Sequence, residues 1–464
     1  MRNDISDLLE RVQRDVAAWF ASLDTRPVRA SVTADELREA LSGSLPAEGS
    51  PPEVVADCLA RLGMKGTIAS AGPRYFGFVV GGSLPAALAA DWLVSAWDQN
   101  GGIYALSPLV SVIEQVTGSW LRELAGLPST MSFGFVTGCQ MANFTGLAAA
   151  RHRVLADAGW DLEAKGLFGA PSIEVMVSEE AHYTIGMALR LLGLGANRVR
   201  SIPTDEQGRM RVQDLSRAVS EGHGPCIICA QAGNVNTGAV DPLFEIARAA
   251  KDRKAWLHVD GAFGLWAAAS PDRAKLLKGI EQADSVATDA HKWLNVPYDC
   301  GMVFCADEVA HRSAMSLGAA YIVATGGERD PHEFVPEESR RARAIPVYAA
   351  LRSLGRRGFA ELVERNCRQA HRLAEALRAA GYEVLNEVVL NQVLVSFGTP
   401  EQTRRTIAAI QEDGTCWCGG TVWKNHTAMR VSICNWSTTD EDVDRSTEAI
   451  LRVAAKVAGH SAGN

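Results

Sequence analysis

The chain of 464 residues has no strong compositional bias, and each missing bias excludes a class of protein. Basic residues are not in excess: 46 Lys and Arg stand against 54 Asp and Glu, and the net charge of −8 gives no reason to expect a nucleic acid or an anionic membrane as partner. The 42 Gly and 18 Pro are too few for a collagenous or low-complexity chain. The 47% of hydrophobic residues exclude a disordered chain and supply a large core.

Long apolar runs are also missing. The longest, residues 85–97, is interrupted by Asp91 and is too short to span a bilayer. Acidic residues stand near the start of the chain, where a secretion signal needs an apolar run. We therefore expect a cytoplasmic protein with no membrane partner, and the length favours two or three domains.

The ten cysteines are not arranged as a disulfide framework. In a long chain without a secretion signal we expect them to be reduced and mostly buried. Cys226 and Cys229 have the spacing of half a zinc site, but no second pair stands at ligand spacing and the residues between them are strand-like. The sequence therefore favours a core strand here, and we predict no metal.

The spacing of apolar residues predicts three regions. Residues 1–100 are an N-terminal helical segment, in which residues 6–23 are amphipathic and Thr33 precedes a helix as its N-cap. Within residues 101–340 short apolar runs alternate with helical stretches, which predicts a large α/β domain with a largely parallel sheet. Residues 341–464 have the pattern of a smaller α+β domain.

Three short segments carry the residues suited to chemistry. Residues 257–262 (LHVDGA) form an apolar strand that ends at Asp260, and residues 289–293 (DAHKW) follow another strand-like run and contain Lys292. Residues 135–143 (FVTGCQMAN) form a turn of small residues before a helix. Ligands of an open parallel sheet bind beyond the carboxyl ends of its strands, so we expect the three segments to meet in one crevice.

This combination matches the needs of pyridoxal phosphate. The cofactor requires a lysine amine for a Schiff base, a carboxylate beside its pyridine nitrogen and an anion site for its phosphate. Lys292 supplies the amine and Asp260 the carboxylate, while the turn at Gly138 and Cys139 offers backbone N–H groups at a helix N-terminus. Each feature alone has an ordinary explanation, such as a turn-forming Asp or a solvated Lys, but their order on an α/β framework favours the cofactor.

The same segments resemble those of the group II pyridoxal-phosphate-dependent decarboxylases, which include aromatic-L-amino-acid, glutamate and tyrosine decarboxylases. Residues 258–262 are similar to the family's H-V-D-A-A segment, and residues 180–183 (EAHY) resemble the segment whose histidine stacks on the cofactor ring. Residues 289–293 resemble N-P-H-K-W, although Asp289 stands where the family has an asparagine near the phosphate. A second anion there would be repulsive unless it is otherwise bonded, so Asp289 is not part of the predicted site.

The resemblance, which extends over roughly residues 70–450, implies fold type I with a mostly parallel seven-stranded sheet flanked by helices. It implies that Lys292 binds pyridoxal 5'-phosphate covalently, that Asp260 lies against the ring nitrogen and that His182 stacks on the ring. It also implies that Ala262 packs near the ring and that His291 lies beside the phosphate or the lysine. The implied catalytic residues are Lys292, His182 and Asp260.

The implied reaction converts an L-amino acid into an amine and CO2. Arg430 falls where similar enzymes have an arginine that can engage the substrate carboxylate, and a structural role on its strand is equally open. Tyr104 and residues 74–78 (RYFGF) resemble segments that border the substrate pocket. Aromatic side chains there favour an aromatic or bulky apolar substrate, while a core role for Phe76 and Phe78 is as open.

Residues 325–336 correspond to a mobile loop that in the family usually carries the tyrosine that protonates the α-carbon. This segment contains no tyrosine, and Phe334 lies near the expected place. One prediction is therefore an aldehyde synthase, in which decarboxylation is coupled to oxidative deamination; another is proton donation by His332. Packing by Phe334, with the proton coming from His182 or water, is the third alternative.

Other readings of the same residues are an aminotransferase or a C–S lyase on the same fold. A protein that only binds the cofactor is less favoured, because binding alone needs neither a Schiff-base lysine nor a carboxylate at the ring nitrogen. The resemblance also implies a homodimer with its active site near the subunit interface, on which the N-terminal helices would pack. The expected ligand is a small amino-acid substrate.

Overall fold

The computed structural model describes residues 2–316 and 327–461. Two compact units contain these residues: the larger has residues 81–371 and 386–393, and the smaller has residues 1–80, 372–385 and 394–464. The division into segments 1–100, 101–340 and 341–464 stays a prediction. Along the described ranges, no helix has the length and apolarity needed to cross a membrane.

Helices occupy much of both units. The α-helices are α1 (Arg2–Ala21), α2 (Ala34–Leu41), α3 (Pro52–Gly66), α4 (Pro85–Trp97), α5 (Pro108–Leu124), α6 (Cys139–Asp157), α7 (Leu162–Lys165), α8 (Tyr183–Leu191), α9 (Val212–Glu221), α10 (Leu243–Arg253), α11 (Glu308–Met315), α12 (Ala344–Ala379), α13 (Pro400–Asp413) and α14 (Asp440–Ser461). Short 3₁₀ helices cover Ala196–Arg198, Gly264–Ala269, Ala274–Leu277, Ile280–Gln282 and Pro331–Phe334.

A seven-stranded sheet forms the centre of the larger unit. Its strands are β1 (Ser132–Val136), β2 (Glu174–Ser178), β3 (Arg200–Ile202), β4 (Cys226–Gln231), β5 (Trp256–Asp260), β6 (Ser285–Asp289) and β7 (Gly301–Cys305), in the order β1-β7-β6-β5-β4-β2-β3. β7 is antiparallel to β1 and β6, and the pairs from β6 through β5, β4 and β2 to β3 are parallel. The predicted mostly parallel seven-stranded sheet of fold type I is confirmed.

The sheet is buried on both faces at its centre. Every residue of β4, β5 and β6 is buried, as expected for parallel strands covered by helices. Cys226 and Cys229 lie in β4, as predicted, and their odd spacing directs the two thiols to opposite faces of the strand. Helix α6 packs on the sheet through small residues, among them Ala148 and Ala149. This close packing brings the N-terminus of α6 to the carboxyl ends of β5 and β6.

The smaller unit begins with the predicted helices. Thr33 caps α2 in a full capping box: its hydroxyl accepts the N–H of Glu36, and the Glu36 carboxylate accepts the N–H of Thr33. A second sheet contains β8 (Glu383–Val384), β9 (Gln392–Ser396), β10 (Gly419–Trp423) and β11 (His426–Ser432), in the order β10-β11-β9-β8. The sequence argument missed β10, because this strand starts with two glycines and its hairpin turn, at Lys424 and Asn425 with φ of 44° and 69°, lacks glycine.

Candidate active site

Lys292 lies in the loop that follows β6, and the backbone of this loop is held from one side by a glycine. A Cβ added at Gly81 would lie 1.8 Å from the carbonyl oxygen of Lys292 and 3.1 Å from the side chain of Asn295. The N–H of Leu84 donates to the carbonyl oxygen of Asn295 at 2.9 Å. The glycine at position 81 therefore permits a contact that fixes the path of the lysine loop.

Asp289, the last residue of β6, organises the charges of the site. Its Oδ2 lies 2.9 Å from Nζ of Lys292, and its Oδ1 accepts the N–H of Cys139 at 2.5 Å. Its Oδ1 also lies 3.5 Å from Nε2 of His291. The carboxylate is 3% exposed, so it has exchanged water for one ammonium group and the first N–H of α6. Asp289 was not part of the site predicted from the sequence. In the structure it has the charged and polar partners that a buried carboxylate requires.

The charge of Lys292 depends on this carboxylate. Burial lowers the pKa of Lys292, but the charge and hydrogen bond of Asp289, together with the charge of Asp260, outweigh burial and raise the pKa above its ordinary value. The ammonium form is therefore favoured at neutral pH. An amine must lose this proton before it can react with an aldehyde, so the Asp289–Lys292 pair keeps the lysine charged until a ligand enters.

Asp260 ends the neighbouring strand β5 and is bonded differently. Its Oδ1 accepts the backbone N–H of Ala262 at 3.1 Å and the thiol of Cys139 at 3.4 Å. Its Oδ2 accepts the side-chain amide of Asn143 at 3.2 Å. All three donors are neutral, and the carboxylate is 4% exposed. Asp260 therefore keeps its negative charge available to a cationic or protonated partner.

Cys139, at the turn before α6, contacts both carboxylates. Burial raises the pKa of the Cys139 thiol well above its ordinary value, and the charges of Asp260 and Asp289 raise it further. The thiol therefore stays protonated and acts as a donor. A Cβ at Gly138 would come 3.3 Å from the ring of His291 and 3.4 Å from Asp289, so glycine leaves the mouth of the helix open.

His291 lies beside this turn, and its place beside the phosphate or the lysine of a bound cofactor stays a prediction. Its Nδ1 accepts the N–H of Cys300 at 3.3 Å, which places the other ring nitrogen toward Asp289. Burial lowers the pKa of His291, with the charge of Asp289 opposing. The ring stacks on Tyr298, with 4.3 Å between centroids and 27° between planes, although Tyr298 itself is exposed.

The structure places His182 and Ala262 at the same edge of the sheet. Ala262 packs in a buried cluster with Cys139 and Ala287. His182 follows β2 and precedes α8, and its Nδ1 lies 2.8 Å from the hydroxyl of Thr184. It is thus placed two strands away from β5, at the carboxyl ends of the parallel strands. Stacking of His182 on a cofactor ring stays a prediction.

Phe334 and His332 occupy a neighbouring part of the larger unit. The ring of Phe334 is 5% exposed, lies 4.3 Å from the guanidinium carbon of Arg329 and meets the ring of His311 edge-on at 5.4 Å. His332 is buried, with Nδ1 3.1 Å from a carboxylate oxygen of Glu338. These contacts favour the packing alternative for Phe334. Of the loop segment 325–336, residues 325 and 326 lie outside the described residues.

Tyr104, also in the larger unit, is half-buried, and its backbone N–H donates to the carboxylate of Asp330 at 2.8 Å. Arg430 belongs to the smaller unit, where it lies on β11 opposite Gly419. Burial lowers the pKa of Arg430. Substrate binding by Tyr104, Phe334, His332 and Arg430 stays a prediction.

The smaller unit contains an aromatic stack formed by the segment 74–78. The rings of Tyr75 and Phe78 both stack on Trp417, with centroid distances of 5.1 and 5.6 Å. Gly77 makes room for this, because a Cβ there would lie 2.2 Å from the indole of Trp417. Phe76 is a core residue, whereas Phe78 is 64% exposed. The core role is therefore confirmed for Phe76 and not for Phe78, and contact of this segment with a substrate stays a prediction.

Sequence reasoning missed two buried residues that connect to Asp260. Asn143 donates to Asp260, and its Oδ1 lies 2.9 Å from Nε2 of His258. Both were quoted only as parts of motifs. A signal was present, because His258 and Asp260 alternate on one face of β5 and Asn143 lies one helical turn after Cys139.

The side chains present fit pyridoxal phosphate. An amine, a buried carboxylate with neutral donors and an open glycine turn at the start of a 19-residue helix are the three features that the cofactor requires. Lys292 would hold the aldehyde carbon, Asp260 the ring nitrogen and the turn at Gly138 and Cys139 the phosphate. Asp289 would share the helix N-terminus with the phosphate.

Comparisons with curated proteins identify relatives over nearly the whole chain. The chain is 29% identical over 453 residues to an aromatic-L-amino-acid decarboxylase of Bacillus atrophaeus, covering 94% of this chain and 92% of that protein. It is 30% identical over 392 residues to an L-2,4-diaminobutyrate decarboxylase of Rhizobium meliloti (81% and 77%). It is 26% identical over 463 residues to a 4-hydroxyphenylacetaldehyde synthase of Rhodiola rosea (95% and 93%).

Solved structures agree with the fold. The crystal structure of Oryza sativa TDC with PLP and tryptamine superposes with a TM-score of 0.91 at 22% identity, covering 98% of each chain. The profile of the pyridoxal-dependent decarboxylase conserved domain matches residues 35–399. The chain therefore belongs to the pyridoxal-dependent decarboxylase family, and it is a carboxy-lyase whose cofactor is pyridoxal phosphate.

Proposed function

We propose that this protein decarboxylates an L-amino acid with an aromatic or bulky apolar side chain and releases CO2 and the corresponding amine. The observation that supports the proposal is the convergence of Lys292, Asp260 and the open N-terminus of α6 at the carboxyl ends of β5 and β6. In this proposal Lys292, Asp260 and His182 are the catalytic residues. Arg430 and Tyr104 contribute to substrate binding.

When bound, pyridoxal phosphate supplies the electron sink for the pair of electrons left behind by CO2. Asp260 would keep a proton on the ring nitrogen, because its carboxylate is buried and its other partners are neutral donors. Lys292 must lose its ammonium proton before its amine could hold the cofactor. Asp289, at 2.9 Å, is placed to balance each change in the charge of the lysine.

The substrate class is supported by two findings of different kinds. The Bacillus atrophaeus relative is an aromatic-L-amino-acid decarboxylase, and the Oryza sativa structure contains tryptamine. In the smaller unit, the segment predicted to border the substrate presents the exposed ring of Phe78 stacked on Trp417. The diaminobutyrate decarboxylase among the relatives defines the competing class, a cationic side chain.

The second candidate function is aldehyde synthesis, and the Rhodiola rosea relative is the observation that favours it. The sequence argument for it was the lack of a tyrosine in residues 325–336. That argument is weakened by the sequence itself, because Tyr321 stands four residues before the segment, outside the described residues. The contacts of Phe334 favour its packing role, in which the proton for the α-carbon comes from His182 or water, and we therefore propose the amine as product.

A product assay tests the proposal. Purified protein loaded with pyridoxal phosphate is given a panel of aromatic, apolar, acidic and diamino L-amino acids while CO2, amine, aldehyde and hydrogen peroxide are followed together, with Lys292→Ala as the blank. CO2 and amine in equal amounts from an aromatic substrate are expected. Turnover of diaminobutyrate or acidic substrates alone would refute the substrate class, and aldehyde with peroxide would replace the amine as product.

Two variants separate the possible proton donors. His182→Gln should slow delivery of the proton, which leaves the α-carbon open to dioxygen and raises the ratio of aldehyde to amine. Phe334→Tyr should leave that ratio unchanged, because the ring packs on Arg329 and His311. A ratio that responds to Phe334→Tyr and not to His182→Gln would return the aldehyde synthase to first place.

A further inference from the structure

A buried chain of side chains leads from the core of the sheet to Asp260. Nε1 of Trp256 donates to the hydroxyl of Ser285 at 2.8 Å, and this hydroxyl lies 2.8 Å from Nδ1 of His258. Nε2 of His258 lies 2.9 Å from Oδ1 of Asn143, whose amide donates to Oδ2 of Asp260 at 3.2 Å. Each member is at most 4% exposed, so water does not compete for these contacts.

The Asp260 carboxylate at the end of this series of side chains fixes the direction of every hydrogen bond in it. The Asp260 carboxylate can only accept, so the nitrogen of the Asn143 amide faces it and the oxygen of that amide must accept from Nε2 of His258. Nδ1 of the neutral imidazole is then an acceptor, and the hydroxyl of Ser285 donates a hydrogen bond to it. Burial lowers the pKa of His258 to about 4, with the charge of Asp260 opposing, which keeps the ring neutral at physiological pH.

The fold leaves room for this chain. One face of β5 presents the side chains of Trp256, His258 and Asp260. On the neighbouring strand β6, Ser285 lies opposite His258. From helix α6, a Cβ at Gly146 would come 3.0 Å from the His258 ring and 3.2 Å from the Ser285 hydroxyl. A glycine inside a helix is unfavourable relative to alanine, and here it gives the imidazole its space.

We propose that Trp256, Ser285, His258 and Asn143 form a positioning relay that holds the Asp260 carboxylate in one orientation and sets the strength with which it binds the proton of the cofactor ring. The inference rests on the role of Asp260 given in the proposed function. Aligned donors in a dry environment strengthen one another, so the bond from Asn143 to Asp260 depends on His258. His258 is a positioning residue, since it acts through Asn143.

The first test uses the cofactor-free protein. Nitrogen chemical shifts of the histidines, followed by NMR between pH 5 and 8, report which ring nitrogen of His258 carries the proton. The neutral form with the proton on Nε2 is expected over this range. A neutral ring with its proton on Nδ1 would overturn the relay, because Asn143 would then have no donor in the required direction. A ring that becomes charged near neutral pH would also overturn it, because Nδ1 would then donate to Ser285 instead of accepting from it.

The second test uses bound pyridoxal phosphate and its visible absorbance as a function of pH. Asp260→Asn serves as the reference for loss of the carboxylate charge. His258→Leu should move the titration midpoint in the same direction by a smaller amount and lower kcat about tenfold, with KM changed less than about twofold. His258→Gln should restore both, since Nε2 of glutamine can donate to Asn143 while its Oε1 accepts from Ser285.

Control variants keep the outcome interpretable. His311 is a second fully buried histidine of the larger unit, with Nδ1 2.9 Å from Ser132, so His311→Leu reproduces the loss of a buried ring and should leave the midpoint in place. Gly146→Ala, which removes no polar group, should shift the midpoint slightly in the direction of His258→Leu. Equal shifts in His311→Leu and His258→Leu would overturn the relay.

The relay and the proposed substrate fail in different ways. If Asp260→Asn moves the midpoint and His258→Leu does not, the relay is wrong while the role of Asp260 stands. If neither variant moves it, the role of Asp260 and the relay are both wrong. If both move it and no aromatic amino acid is turned over, the relay is supported and the substrate class is wrong.

Discussion

Asp260 and Asp289 end neighbouring strands of the same sheet, and both carboxylates are buried, yet their surroundings differ in charge. Asp260 receives hydrogen bonds from neutral donors, namely a thiol, a side-chain amide and a backbone N–H. Asp289 lies against the ammonium of Lys292 and the ring of His291. The first carboxylate has no cation among its hydrogen-bond partners, whereas the second lies directly against an ammonium group.

This difference shows how one sheet edge can present two buried anions, each stabilised by its own donors. Cys139 contacts both, donating its thiol to Asp260 and its backbone N–H to Asp289. The helix N-terminus adds a partial positive charge between them. The role of each carboxylate thus follows from its donors rather than from its position in the strand, and variants that change the donors or the charge test this conclusion.

The largest effect is expected for Asp260→Asn. The amide keeps the size of the side chain but removes the charge that holds a proton on the cofactor ring, and it presents an NH2 group where three donors already converge. We expect kcat to fall about a hundredfold or more, which is the size of a lost charge-assisted hydrogen bond together with an unsatisfied buried donor. Steady-state kinetics with cofactor in excess measures it, and a loss below about threefold would contradict the role of Asp260.

A smaller effect is expected for Gly81→Ala, which acts on the Lys292 side of the comparison. The added methyl group would lie 1.8 Å from the Lys292 carbonyl, so the lysine loop must move. Overpacking of this kind costs about 1–3 kcal/mol, which corresponds to a loss of cofactor affinity on the order of tenfold to a hundredfold. Equilibrium dialysis against pyridoxal phosphate measures the affinity.

The matched control for this variant is Gly63→Ala on α3. A Cβ there meets nothing within 4 Å, and alanine is the better helix former. We expect unchanged cofactor affinity and an equal or higher melting temperature. If both variants bound the cofactor like the unmodified protein, Gly81 would not hold the lysine loop.

Asp289→Asn should strengthen cofactor binding, about tenfold, because it removes an anion that shares the helix N-terminus with the phosphate and lets Lys292 lose its proton more easily. The cofactor-free protein should lose stability. The pKa of Lys292 is raised in the fold, so its contribution to stability is present below the pKa of an unfolded lysine and disappears as the pH rises through the folded value. The variant should therefore melt below the wild type at pH 7–9.

That difference in melting temperature should stay constant up to the pKa of an unfolded lysine, about 10.4, and should begin to narrow only above it, because the pKa of Lys292 is raised in the fold. Thermal scans of the cofactor-free pair across pH 7–11 measure it, and Lys292→Met serves as control because it removes the cation instead of the anion. A variant that binds the cofactor more weakly than the wild type would mean that Asp289 supports the phosphate rather than competing with it.

The strands at the centre of the larger unit could be predicted from the sequence, whereas the donors around the two carboxylates could not. The runs at 226–230, 255–259 and 301–305 match β4, β5 and β7 closely, because strands buried on both faces are continuous apolar segments bounded by polar turns. Motif order located Lys292 and Asp260. The third dimension was missing: Asn143 is remote from Asp260 in sequence, and only the packing of α6 on β5 brings them together.

Asp289 is a second case in which the sequence does not predict the contacts of a carboxylate. The sequence predicts that an anion at this position is repulsive unless it is bonded, and its bonding depends on the first N–H of α6 and on the side chain of Lys292. A residue type and a position predict a conflict; the contacts that resolve it come from segments far apart in the chain. The glycine at position 81 likewise gives no signal of its contact with the lysine loop until the backbone path is known.

The smallest effect is expected at Tyr298, which stacks on His291 from the solvent side at a centroid distance of 4.3 Å. Stacked aromatic pairs contribute about 0.5–1.5 kcal/mol, so Tyr298→Ala should weaken cofactor binding about threefold by loosening the ring that lies beside Asp289. Tyr298→Phe keeps the stack and should bind like the wild type. A loss in Tyr298→Phe equal to that in Tyr298→Ala would assign the effect to the hydroxyl group instead, and the orientation of His291 would then depend on its bond from the Cys300 N–H alone.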